Sequence, residues 1–331
     1  MTSTQPLRII AVVGATGTQG KGVVRALLDS STSFHVRAIT RGPESPTAQQ
    51  LLSENSHSSR LSVVRGDVYD ADSLLAAFDG AYGVFAMTQN FLPGRTFDTE
   101  DDLRHELDAG QNIINAAETS RIKHFVFSSL PSITEASNGR YTKVFHFDFK
   151  AQIEQWARDR LAAVTILVPG MFYGNLLLPT YCRRDDNGTV RFCPPLPGHT
   201  LAGWVDAAHD VGVFARAVFL AGPEKTASKT YPIESPQLRV ADLAGIFSKV
   251  TSEPARFEDI SLEEWTATVT YVTGKGFEED IRQMAQWVAD APPDKIAYGT
   301  MSPQDDTSWE DLGVKATTFE EWLNKTNWKG P

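Results

Sequence analysis

The segment Gly14-Ala15-Thr16-Gly17-Thr18-Gln19-Gly20 constrains the fold of this chain more than any other. It follows an apolar run, Leu7 to Val13, and opens a helix-like stretch, Gln19 to Leu28. A strand, a glycine turn and a helix in that order make a cradle for phosphate. Gly14 suits a turn with positive φ. Gly17 leaves room for a pyrophosphate against the backbone, and Gly20 lets the helix pack close on the strand. The helix N-terminus then offers unpaired N–H groups and the positive end of its dipole to the anion. A glycine triplet alone is a weak signal. Placed near the N-terminus, after a strand and before a helix, it points to nucleotide binding.

The alternation continues over the first ~170 residues. Apolar runs predict strands at 7–13, 34–40, 61–65, 83–87, 123–128 and 163–168. Helical patterns fall at 18–30, 46–54, 70–79, 100–119 and 144–160. Such alternation predicts a parallel sheet with right-handed crossovers and a ligand beyond the carboxyl ends of the strands. After Pro169 the pattern changes. Cys193-Pro194-Pro195-Leu196-Pro197-Gly198 reads as a loop. A helix over 206–221 returns to the first domain, a strand over 229–234 and a helix over 240–250 follow, and the last 70 residues read as mostly helical. The expected fold class is α/β: a Rossmann doubly wound parallel sheet over 1–170, with a smaller interleaved α/β lobe over 171–331 for substrate or partner.

Composition narrows the function classes. No apolar stretch reaches the ~20 residues needed to span a bilayer, so no membrane partner is expected. Met1 to Arg8 is short and polar and lacks the apolar core of a signal peptide. The expected location is cytoplasmic, with the nucleus open. Cys182 and Cys193 form no CxxC, and the histidines at 35, 57, 105, 124, 199 and 209 show no ligand spacing, so no metal is expected. Net charge is −10, and residues 251–331 carry 16 Asp/Glu against 7 Lys/Arg. That asymmetry argues against direct nucleic-acid binding. It suits either a basic protein partner or an ordinary solvated face.

The second strand ends Ala38-Ile39-Thr40-Arg41-Gly42. Folds that prefer NAD place Asp or Glu there, on the ribose hydroxyls. Here Arg41 stands in that place, with Arg37 four residues earlier. A guanidinium suits a 2′-phosphate, so the expected cofactor is NADP(H). Asp67-Val68 closes the third strand, where a carboxylate meets an adenine amine or else caps a turn. Thr88-Gln89-Asn90 closes the fourth strand and is expected to line the cofactor.

Taken in order, GATGTQG at 14–20, ITRG at 39–42, GDV at 66–68, the turn after Val84-Phe85-Ala86-Met87-Thr88, and HFDFK at 146–150 resemble the NmrA-like family. These are atypical relatives of the short-chain dehydrogenases, in whose extended members the Gly-x-x-Gly-x-x-Gly spacing is common. The resemblance runs from Arg8 to Phe319-Glu320-Glu321-Trp322-Leu323, most strongly up to residue ~175. It implies that Gly14, Ala15, Thr16, Gly17, Thr18, Gln19 and Gly20 hold the pyrophosphate, and that Arg41 to Ser45 hold the 2′-phosphate. It implies Asp67 and Val68 at the adenine, and Thr88, Gln89 and Asn90 at a ribose. Lys150 would meet the nicotinamide ribose, and Met171, Phe172, Tyr173 and Gly174 would pass beside the nicotinamide. Ser128-Ser129 occupies the place of a catalytic serine.

Active short-chain dehydrogenases use Ser with Tyr-x-x-x-Lys, the Tyr as acid. Four residues before Lys150 stands His146, and Tyr141 is nine positions away. The candidate catalytic residues are therefore Lys150, His146 and Ser129. Three readings compete: a His146–Lys150 proton-transfer pair, a Lys-only site, and a site in which Lys150 only binds ribose. A surface pair of Lys150 with Glu154 at i+4 is the plain alternative. Phe145, Phe149, Ile153 and Trp156 form a stripe for core packing. Phe172-Tyr173 either floors a substrate pocket or turns the chain between lobes. Two functions follow. The first is an oxidoreductase that moves a hydride to or from a small apolar metabolite. The second is an NADPH/NADP⁺ sensor whose loops at 89–99 and 130–143 regulate a protein partner. A homodimer is compatible with either.

Overall fold

Seven apolar runs form one all-parallel sheet in the computed structural model, which describes residues 7–29, 34–56, 58–92 and 94–331. The strands are β1 (Arg8–Val12), β2 (Phe34–Thr40), β3 (Leu61–Arg65), β4 (Gly83–Met87), β5 (His124–Ser128), β6 (Val164–Pro169) and, far along the chain, β12 (Thr230–Ile233). Their spatial order is β12-β6-β5-β4-β1-β2-β3. Most central strands are buried on both faces, which is why they read as continuous apolar runs rather than as alternation. The order reverses between β1 and β4, so a crevice opens beyond their carboxyl ends.

The linking helices are α1 (Thr18–Leu28), α2 (Pro46–Glu54), α3 (Ala71–Phe78), α4 (His105–Thr119), a short α5 (Ile133–Ala136) and α6 (Phe145–Arg160). Ser45 and Asp70 cap α2 and α3 by accepting the N–H groups of Ala48 and Ser73. The expected helix at 100–119 is a 3₁₀ turn, Glu100–Arg104, followed by α4. Of the expected 18–30 segment, Ser30 lies outside the described residues, as do His57 and Pro93. On α6 the buried side chains are Phe147, Phe149, Ile153 and Ala157, so the packed face differs from the expected stripe: Phe145 and Trp156 are only half-buried.

The chain then crosses back. α7 (Asp210–Ala221) packs against α1 through two glycines. A Cβ on Gly22 would lie 2.4 Å from the Ala208 carbonyl oxygen, and one on Gly212 would lie 2.2 Å from that of Gly22. After α8 (Pro223–Thr226), β12 pairs with β6, Tyr231 beside Leu167. The expected return of the 206–221 helix is seen in α7, and β12, expected in the second lobe, joins the first unit with it. The cause is their apolar content, because Val211, Phe214, Val218, Tyr231 and Ile233 share one core with Val12, Val126 and Leu167.

The rest forms the second lobe. β7 (Met171–Phe172) pairs with β11 (Trp204–Val205), and β10 (Leu201–Ala202) pairs with β13 (Leu238–Arg239). β8 (Cys182–Arg184), β9 (Val190–Phe192) and β14 (Ala255–Phe257) make a three-stranded sheet. Helices α9 (Asp242–Thr251), α10 (Leu262–Thr273), α11 (Glu278–Asp290), α12 (Ser308–Leu312) and α13 (Phe319–Thr326) surround them. Residues 291–307 are largely irregular rather than helical. No described helix is long and apolar enough to cross a membrane.

Candidate active site

The glycine segment leaves β1 at its carboxyl end. Val13 N–H donates to Phe85 O at 2.9 Å, and Gly14 takes φ +66°. The first donor inside α1 is Lys21 N–H, to Gly17 O, so the N–H groups of Thr18, Gln19 and Gly20 have no intrahelical acceptor. Gly17 caps the helix without a side chain, and the first turn holds no acid. A Cβ on Gly20 would fall 2.2 Å from Gly14 O, which explains the tight helix-on-turn packing. A Cβ on Gly17 would meet Gly14 O at 3.3 Å, a single tight contact, and no other heavy atom within 4 Å. Gln19 Oε1 is buried without a partner among the described residues. A side-chain-free turn, unpaired helix N–H groups and an orphan polar atom fit the pyrophosphate of a dinucleotide.

Arg41 is exposed at the end of β2, and among the described residues no ion pair or side-chain hydrogen bond engages it. Arg37 is engaged: it donates to Ala77 O at 2.9 Å and Asp79 O at 2.6 Å, at the end of α3. Arg41 is thus the free cation of the two. Asp67 forms a turn, its Oδ1 accepting Tyr69 N–H at 3.0 Å, while Val68 O accepts from Asn112 Nδ2 at 3.0 Å. Asp67 Oδ1 therefore caps a turn.

At the end of β4, buried Thr88 donates to Glu106 Oε1 at 2.6 Å. Lys150 Nζ bonds the same oxygen from α6. Glu106 is fully buried, and its Oε2 has no partner among the described residues. Lys150 keeps two further N–H donors. The Glu154 alternative fails, because Glu154 pairs with Arg158 at 2.9 Å. Gln89 is exposed, and Asn90 O accepts from His105 Nε2 at 3.0 Å. A carbonyl only accepts, so Nε2 carries the proton and Nδ1 accepts from Tyr69 O–H at 2.7 Å. Burial lowers the His105 pKa and keeps the ring neutral. Burial, aided by the charges of Glu106 and Asp67, pushes the Tyr69 phenol up to about 12.

One turn before Lys150, the backbone N–H and the Nδ1 of His146 meet one carboxylate. Its backbone N–H donates to Asp280 Oδ1 at 2.9 Å, and its Nδ1 lies 2.6 Å from Oδ2. Asp280 belongs to α11 and is fully buried. The carboxylate therefore fixes the proton on Nδ1, and Nε2 has no partner among the described residues, the same logic by which a buried acid orients a catalytic imidazole. Tyr141 is buried elsewhere, with its hydroxyl on Asp290 at 2.5 Å.

Two expectations need correction. Ser129 is buried, and its hydroxyl lies 3.3 Å from both Leu130 O and Lys150 O. It ties the end of β5 to α6, and its proton is engaged by backbone. Tyr173 is fully buried in the second lobe, stacked between Trp204, Phe319 and Trp322, with its hydroxyl on Ser235 Oγ and Thr317 O at 3.2 Å. The aromatic core wins it, so it does not floor a pocket. Met171 and Phe172 are half-buried in β7, and Gly174 is exposed.

Sequence reasoning missed Glu106 and Asp280. Glu106 carried a faint signal, since it shares a helix face with Gly110, Ile113 and Ala117, all of them buried or half-buried. Asp280 carried none, because Glu278 and Glu279 precede it and all three read as first-turn acids.

Residues 7–323 match the NmrA-like family. Among similar proteins, the "NmrA-like family domain-containing oxidoreductase hkm9" of Aspergillus hancockii is 32% identical over 280 residues, covering 80% of this chain and 78% of its own length. The structure of NmrA, a negative transcriptional regulator, in complex with NAD aligns with a TM-score of 0.75 at 20% identity, covering 97% of this chain and 95% of that one. The NmrA complex with NADP aligns at 0.74 and 20% identity, with the same coverage. At that identity the two structures bear on the fold.

Proposed function

We propose, for a chain that belongs to the NmrA-like family, the activity of an NADP(H)-dependent oxidoreductase on a small apolar metabolite. The observation that carries the reading is the His146–Asp280 pair one helical turn from the Lys150–Glu106–Thr88 cluster. The glycine cradle would hold the pyrophosphate, and exposed Arg41 the 2′-phosphate. Lys150, oriented by Glu106, has two donors left for a ribose diol. The nicotinamide, when bound, supplies or takes the hydride. His146 Nε2 is the atom that gives or takes the accompanying proton, and buried Asp280 balances the imidazolium charge. Titration of the purified chain with NADPH and NADH, followed by NADPH oxidation across a carbonyl and ene panel, tests the reading. No oxidation in wild type, or oxidation undiminished in His146→Phe, would defeat the proton-transfer assignment.

One observation favours the sensor reading as the alternative. The loop after β4 is tied to the second lobe: Phe97 N–H donates to Thr273 O at 3.0 Å, and Gly276 N–H to Phe97 O at 2.8 Å. The Phe97 ring stacks on His105 at 5.0 Å and meets Phe277 edge-on at 5.4 Å. An occupant at Thr88 to Asn90 therefore bears on α10 and α11. Different protease sensitivity of residues 89–99 with NADPH and NADP⁺, without turnover, would select this alternative.

A further inference from the structure

A second set of polar groups lies outside the cofactor crevice. Directly after β12, Glu234 lines a cavity of about 390 Å³ together with Met171, Gly203, Val288, Pro292 and Tyr298. That volume suits a small ligand. Glu234 Oε1 accepts the Ala297 N–H at 3.3 Å, and no Lys, Arg or His pairs with the carboxyl among the described residues. Burial, with the like charge of Asp306 adding, raises its pKa to about 7. The Tyr298 hydroxyl also has no hydrogen-bond partner among the described residues. Its ring is fixed edge-on by Phe147 at 4.9 Å, and its carbonyl accepts Trp287 Nε1–H at 2.9 Å.

The backbone here is strained. Ala297, Tyr298 and Gly299 take φ of +51°, +57° and +80°, a left-handed run in which two residues carry side chains. Such conformations persist where their surroundings over-determine them, and they gather at ligand sites. Gly203 is needed as well, because a Cβ there would fall 2.5 Å from the Glu234 carboxyl carbon and Oε2. Strand end, glycine and strained loop converge to present a carboxyl and a phenol to one hollow with both apolar and polar walls.

The other charged groups around it leave Glu234 uncompensated. Asp290 is held by Arg140 at 2.9 Å and by Tyr141. Arg239, Lys295 and His199 line the cavity, yet none comes within ion-pair distance of Glu234. A carboxylate that has lost its hydration regains most from an occupant that brings a positive charge. Met171 joins this cavity to the stretch expected beside the nicotinamide.

We infer that this cavity is the substrate pocket of the reaction proposed above, on which the inference rests, and that it takes a small, largely apolar molecule bearing a protonated amine, held by Glu234 with Tyr298 as its second polar contact. The test is calorimetric titration of the full chain, with and without NADP⁺, using phenethylamine and its neutral analogue 2-phenylethanol between pH 6 and pH 8. The amine should bind about tenfold tighter than the alcohol at pH 8, the size of one charge-assisted hydrogen bond. Its affinity should rise from pH 6 to pH 8 as Glu234 ionises. Glu234→Gln, nearly isosteric, should abolish the preference and leave NADP⁺ affinity unchanged. His199→Gln should keep the pH rise. Equal binding of amine and alcohol, no binding of either, an affinity that falls with pH, or a preference intact in Glu234→Gln would overturn the inference. Failure of wild type to bind NADP⁺ would strike the cofactor reading instead, and the titration without cofactor would still decide the pocket.

Discussion

Lys150→Met separates two roles that a loss of activity alone would confuse. The Lys150 side chain is 12% exposed and that of Glu106 is 0% exposed. Met keeps the aliphatic stem and removes the ammonium. Glu106 is then left with the Thr88 hydroxyl at 2.6 Å on one oxygen and nothing on the other. Breaking a buried ion pair from one side costs about 3–5 kcal/mol. For 331 residues the unfolding entropy is roughly 0.7 kcal/mol/K, so Tm should fall by roughly 4–7 °C. Removing both charges in Lys150→Met/Glu106→Gln should restore most of that loss, because no uncompensated charge stays buried. NADPH affinity should behave differently. The single and double variants both lack the ammonium, so both should bind NADPH about tenfold or more weakly. Calorimetric melting without cofactor and titration with NADPH on the three proteins give both readouts. A single variant that melts within about 1 °C of wild type would refute the argument that the buried pair carries this energy. A double variant that binds NADPH like wild type would refute the ribose contact.

Arg41→Ala should erase a preference for NADPH over NADH of roughly 10- to 150-fold; equal affinities in wild type would remove the basis for it. Gly17→Val should change the melting of the cofactor-free chain little and abolish its rise with NADPH, whereas Gly20→Ala should lower melting outright because of the 2.2 Å contact. His146→Phe should slow turnover of any substrate found by about 10²–10⁴-fold at unchanged NADPH affinity, and Asp280→Asn should follow it in direction with an altered pH profile. Glu234→Gln should raise Tm at pH 8 and not near pH 4.5. Between 4.5 and about 7 the unfolded chain ionises this carboxyl while the folded chain keeps its proton, so wild-type stability falls across that window. At ~1.36 kcal/mol per pH unit the penalty reaches ~3 kcal/mol, and melting curves at the two pH values check it.

The sheet was legible because its strands lie between two layers of helices. Ile10-Ala11-Val12 and Phe125-Val126-Phe127 read as unbroken apolar runs for that reason. The start of α2 was legible through Ser45 and Pro46, which carry the local chemistry of a helix start. The short strands of the second lobe were not. Met171–Phe172 and Leu201–Ala202 span two residues each, too few to show a period, and only their partners make them strands. The cofactor crevice was legible as a set of strand ends. What each side chain does there was not, because the deciding partners are remote. Lys150 meets Glu106 across 44 positions, and His146 meets Asp280 across 134. Tyr173 shows the opposite error. It stands in a motif-bearing stretch, yet Trp204, Phe319 and Trp322 claim it.

The contact between Gly22 and Gly212 has a consequence for how the chain is made. Synthesis runs from the N-terminus, so the phosphate cradle leaves the ribosome long before the helix that buttresses it. With the first 170 residues out, β6 presents a bare edge and the outer face of α1 is uncovered. Both are closed only once Asp210–Ala221 and Thr230–Ile233 have emerged. Until then the nascent chain carries an open strand edge of the kind that templates misassembly. The part of the protein translated first is thus finished only after some sixty further residues, and a fragment cut at residue 170 would hold the glycines without the brace that sets them.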